Sequence, residues 1–160
     1  MTGYGDIRAA TSRAIDRSGC EPVLAEDFPA GTVSPRTACL DGVASCDGIV
    51  LILGARCGEP TAAGISATEE EYRKAVWLKN HIFVFLEGGN REPRQQEFVH
   101  SVEDYVDGHW RKSFSARLTR RSFSGVARPG NLPQPYRNRA DTSRYRLDKV
   151  ASLDRLKPHR

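Results

Sequence analysis

Two continuous apolar runs, DGIVLILG at 47–54 and HIFVFLE at 81–87, constrain the fold of this chain more than any other feature. Each is short, rich in β-branched or aromatic residues, and lacks the alternation of a strand with one wet face. Such runs read as strands buried on both sides, which is the condition of a parallel sheet covered by helices. Parallel neighbours need a crossover, and the segment Ser66 to Lys79 between the two runs reads as the helix that supplies it.

The same grammar extends towards the N-terminus. From Asp6 to Ser18 the residues Ile7, Ala10, Ala14 and Ile15 form the stripe of an amphipathic helix, with Gly19 as its stop. Glu21 to Ala25 (EPVLA) reads as a short strand, followed by a turn-rich EDFPAG loop. Ser34 before Pro35 is a helix start, cap and first position together, and that helix is expected to end near Cys46. Beyond the second core strand, Glu92 to Val106 reads as a further helix and HWRKSF as a short strand or turn.

Charge divides the chain in two. Residues 1–115 carry 12 Lys/Arg and 17 Asp/Glu, whereas residues 116–160 carry 12 and 3. The overall charge of +4 therefore hides an acidic domain at 1–115 and a basic tail at 116–160. The tail mixes arginine with Pro, Gly, Ser and Asn and has few large apolar groups, so burial cannot offset its ordering entropy. It is expected to be mostly disordered, with a weak helix near Tyr145 to Leu156. Its arginines, interleaved with Phe123, Tyr136 and Tyr145, would suit nucleic acid through charge and some base stacking, but a solvated tail is favoured because no nucleic-acid fold accompanies them.

Cys20, Cys39, Cys46 and Cys57 are spaced by 19, 7 and 11 residues, which matches neither a zinc site nor a redox pair, and they read as buried or free thiols. His81, His100, His109 and His159 have no metal spacing, and Gly54, Gly58 and Gly64 form neither a dinucleotide fingerprint nor a P-loop. No metal or cofactor is called for. Trp77 and Trp110 read as core or interface residues. The N-terminal residues lack the apolar core of a secretory signal, and no run reaches the roughly 18 to 20 apolar residues of a membrane helix, so a soluble cytoplasmic protein is expected.

The one cluster with chemical content opens the crossover helix, Ser66-Ala67-Thr68-Glu69-Glu70-Glu71-Tyr72. Two overlapping capping boxes, Ser66 with Glu69 and Thr68 with Glu71, account for much of it. Position adds more: ligands of open α/β sheets bind beyond the carboxyl ends of the strands, where this helix begins. Glu71 shares the sheet-facing side with Ala75 and Leu78, and a carboxylate there can reach a ligand in the cleft.

The stretches GCEPVLAEDFPA, SPRTACLDGVASCDGIVLILGARCG and ISATEEEYRKAVWLKNHIFVFLE, in this order, resemble the family called domain of unknown function 4062, over about residues 4–115. The resemblance implies a TIR-like, flavodoxin-like open parallel sheet, of the kind found in bacterial signalling or defence proteins. The wider superfamily includes enzymes that cleave N-glycosidic bonds of nucleosides or NAD. Thr68, Glu71 and Ala75 match their shared motif. By that resemblance Glu71 is the catalytic carboxylate, Thr68 shapes the turn, Tyr72 flanks the pocket, and Asp27 and Arg56 are cleft residues of unassigned role. Family members begin with an apolar strand where this chain has Met1-Thr2-Gly3-Tyr4-Gly5. The first strand is therefore expected to be missing, leaving a gap between EPVLA and GIVLILG unless another segment fills it.

Three functional expectations follow. The first is a signalling or defence module that binds a nucleotide-type ligand or a protein partner, self-association included. The second is an N-glycosidase acting on NAD or a nucleoside through Glu71. The third is a truncated, inactive fragment of a larger protein.

Overall fold

The computed structural model describes residues 4–17, 19–28, 31–104, 111–114 and 147–150. Helix α1 (Tyr4–Arg17) leads through an extended stretch and a 3-10 turn (Ala25–Asp27) to α2 (Pro35–Ala44) and strand β1 (Gly48–Leu53). Helix α3 (Ala67–Leu78), strand β2 (His81–Glu87), helix α4 (Pro93–Glu103), strand β3 (Arg111–Phe114) and strand β4 (Leu147–Val150) follow. The strands lie in the order β3-β2-β1-β4, and every neighbouring pair is parallel.

Both faces of β1 are covered, and all six of its residues are buried. Val50 and Ile52, with Phe85 of β2, meet Ile7, Ala14 and Ile15 of α1 on one face. On the other, Leu51 and Leu53, with Val84 and Leu86, meet Tyr72 of α3 and Phe98, Val99 and Val102 of α4. Ile49 packs with Val43 of α2 and Ala75 of α3. The period of two along each strand thus sends alternate residues to opposite helical layers, and this is why neither run alternates with polar residues.

Helices α2 and α3 are fastened at their C-terminal ends by Asn80, whose Nδ2 donates to the carbonyls of Val43 and Cys46, both at 2.9 Å. Lys79 just before it takes the left-handed conformation (φ 59°) that closes α3. Chain reversal into β2 follows at once, with the His81 N–H donating to the carbonyl of Asp47 at 2.9 Å.

Several expectations are corrected. Glu21 to Ala25 is not a strand: it has one bridging residue, Val23, and its last residue, Ala25, already opens the 3-10 turn. Pro22 in its middle has no N–H to give to a ladder, which demotes such a segment. The weak helix expected at Tyr145 to Leu156 is replaced, over Leu147–Val150, by strand β4. It lies against β1 on the side away from β2, where the expected gap falls, and touches α1 and α2 as well. Pairing with a free strand edge outweighs a weak local preference for helix. Four residues of the basic segment 116–160 are thus part of the sheet, and its other residues, like Trp110 and Val106, lie outside the described ones. Of the two roles read for Trp77, core or interface, the core one is overturned, because the residue is 73 % exposed with Lys74 Nζ 4.8 Å from its ring centre.

Among the described residues, no helix is long and apolar enough to cross a membrane. All four cysteines are free thiols, and Cys20, Cys46 and Cys57 are buried.

Candidate functional site

In a parallel sheet each helix that follows a strand starts at the carboxyl edge, so the loop after β1, the start of α3 and the start of α4 share one rim. The start of α2 lies there too, because α2 ends where β1 begins at the opposite edge. Helix starts expose amides and carry partial positive charge. Ser34 Oγ accepts from the Thr37 N–H, and Ser66 Oγ from the Glu69 N–H, each at 3.1 Å.

The three consecutive glutamates of α3 have three different surroundings. Glu69 reaches forward one turn to Arg73 Nη2 at 2.6 Å. Glu70 takes the guanidinium of Arg36 from α2, with Nε at 3.0 and 2.9 Å from its two carboxylate oxygens. Glu71 points the other way and is 7 % exposed, together with Thr68, Tyr72 and Ala75 on the buried face of the helix. Successive residues on a helix turn by about 100°, so a run of three acids cannot share one environment.

This arrangement corrects the doubled capping box. Ser66 occupies the cap position, and Thr68 is already inside the helix, buried. Glu69 is engaged with Arg73. Glu71 stands just past the first turn, whose acids are Glu69 and Glu70. Tyr72 meets Phe98 of α4 edge to face, with ring centres 5.5 Å apart and an interplanar angle of 65°. Burial pushes its phenol above the ordinary tyrosine range.

Thr68, Glu71 and Tyr72 are therefore brought together. Asp27 and Arg56 stand on separate exposed segments. Asp27 lies in the 3-10 turn, whose neighbour Glu26 pairs with Arg8 of α1. The next residue, Phe28, lays its ring over Gly42 of α2, where an added Cβ would come within 2.8 Å of it. Arg56 lies in the loop after β1, which α4 grips at several points. Gln95 Nε2 donates to the Gly54 carbonyl (3.1 Å), the Glu92 N–H to the Ala55 carbonyl (2.9 Å), and the Cys57 N–H to Glu92 Oε2 (3.0 Å). Arg94 reaches the Gly64 carbonyl.

Sequence reasoning missed Arg36, Glu92 and Gln95. Gln95 had a signal: it precedes Phe98, Val99 and Val102 on one helical stripe, and an amide on an apolar stripe is buried for a reason, here at 3 % exposure. Arg36 and Glu92 had none, since their partners are 34 and 35 residues away in the chain.

A family model matches residues 1–144, which takes in every element from α1 to β3 and the whole of this rim. The chain belongs to the domain of unknown function (DUF4062) family. The match runs beyond the 4–115 stretch that carried the resemblance and ends short of β4. No curated protein and no solved structure matches the chain. For this DUF4062 domain, a functional reading therefore rests on its own residues.

Proposed function

We propose that this DUF4062 domain is a TIR-like, flavodoxin-like signalling or defence module that binds a nucleotide-type ligand at the carboxyl edge of its sheet. The observation that carries the reading is Glu71, a carboxylate turned into the buried face of α3 beside Thr68 and Tyr72. Glu69 and Glu70 lie towards the outside of the helix with Arg73 and Arg36, and Glu71 is the acid of the run on the buried side. A carboxylate suits ribose hydroxyls, and the converging helix starts with Arg56 suit a phosphate. Calorimetric titration of the protein with AMP and ADP-ribose, against Glu71→Gln, tests the reading. Binding that Glu71→Gln weakens supports it, and no binding to the parent protein sinks it.

The burial of Glu71 also favours a second reading, an N-glycosidase acting on NAD or a nucleoside. A carboxylate held against the ribose face stabilises or attacks the oxocarbenium-like centre that forms as the base departs, and water then completes the sugar. Incubation with NAD and with nucleosides decides this. Release of nicotinamide or free base by the parent and not by Glu71→Gln supports turnover, and no release by the parent protein removes it.

A further inference from the structure

Glu92 holds the chain on both sides of Arg56. Its N–H donates to the carbonyl of Ala55 (2.9 Å), and its Oε2 accepts from the N–H of Cys57 (3.0 Å). Glu92 occupies the cap position of α4, where a side chain ordinarily satisfies amides of its own helix, yet it makes no such bond. Its carboxylate is spent on the neighbouring loop instead. Gln95, 3 % exposed, holds the carbonyl of Gly54 immediately before. The backbone leading into and out of Arg56 is thereby fixed, while Arg56 itself stays exposed. A long cationic side chain on a fixed backbone loses less freedom on binding an anion than one on a loose loop.

We propose that Glu92 is a positioning residue that presents Arg56 to the phosphate of a ligand at the carboxyl edge, an inference that rests on the nucleotide-type reading above. Arg56 makes the phosphate contact. Glu92 acts through it by setting the conformation of residues 55–57, and a carboxylate suits this task beside an anion site only because the Cys57 N–H engages its oxygen.

Two measurements test the assignment. The first needs no ligand: limited trypsin digestion of the native protein, with the Arg56–Cys57 bond followed by mass spectrometry. The amide of this bond is the one Glu92 holds. Cleavage there is expected to be about tenfold faster in Glu92→Ala, the factor that loss of one charge-assisted hydrogen bond implies, with Glu92→Gln closer to the parent because its amide oxygen still accepts. The second compares AMP with adenosine. Glu92→Ala is expected to weaken AMP binding by about tenfold, to leave adenosine binding unchanged, and to cost nothing further for AMP in an Arg56→Ala background. Unchanged cleavage, an equal loss for both compounds, or an additive loss on Arg56→Ala each overturns the proposal. Failure of the parent to bind either compound overturns the nucleotide reading, and the cleavage rates then decide alone whether Glu92 positions Arg56.

Discussion

Arg36 of α2 sets its guanidinium against Glu70 of α3, with Nε 3.0 and 2.9 Å from the two carboxylate oxygens. The contact joins the starts of these two helices, as Asn80 joins their ends. It also takes the middle acid of the Glu69–Glu71 run away from the sheet, leaving Glu71 as the inward one.

The hydrogen bond from Arg36 holds the Glu70 carboxyl below its ordinary range, against the opposing effect of burial. A carboxyl whose folded pKa is lowered contributes stability that is present above its unfolded pKa and lost as pH falls through the folded value. Melting temperatures of the parent and Glu70→Gln are therefore expected to differ at neutral pH and to converge in acid. A gap that persisted undiminished through the acid range would refute the pair's role. Added salt should narrow the gap at neutral pH, because Arg36 is well exposed.

Asn80→Ala removes both bonds, so the Val43 carbonyl keeps the longer bond from the Cys46 N–H (3.4 Å) and the Cys46 carbonyl loses the Asn80 amide. The expected loss is about 1 to 3 kcal/mol in urea unfolding, the cost of losing two hydrogen bonds and leaving one part-buried acceptor without the amide that met it. A loss within a few tenths of a kcal/mol would mean that water replaces the amide.

Lys79→Gly should stabilise the protein. Lys79 adopts φ 59°, where a side chain crowds the backbone and glycine does not. A gain of about 0.5 to 1 kcal/mol is expected, part of the strain relief being offset by the greater freedom of glycine in the unfolded chain. Urea midpoints of the two proteins check it.

Removal of residues 147–160 takes β4 away from the edge of β1, whose six residues are all buried. A bare edge of this apolar strand is a template for pairing with other chains. The truncated protein is expected to unfold at lower urea concentration and to aggregate with increasing concentration, as light scattering would show. An unchanged midpoint in a monomeric truncated protein would show that β4 does not protect the edge.

Much of this architecture is legible in local sequence. Strand β2 coincides with HIFVFLE residue for residue, β1 lies within 47–54, and Ser34-Pro35 and Ser66 mark their helix starts as read. These features are encoded by contiguous residues, through side-chain shape, cap chemistry and hydrophobic period. The inward face of Glu71 is legible for the same reason, since helical periodicity places it with Ala75.

What the sequence by itself determined, then, is the set of core strands and helices and which side of α3 turns inward, because each depends on neighbours within a few positions. Only the tertiary structure decided the rest. Nothing local in LDKV announces a strand beside Gly48–Val50, because that pairing depends on an edge left open about a hundred residues earlier. Nothing local tells Glu70 from Glu69, or assigns Glu92 to the loop around Arg56, because those carboxylates take their roles from cations and amides that the fold carries to them.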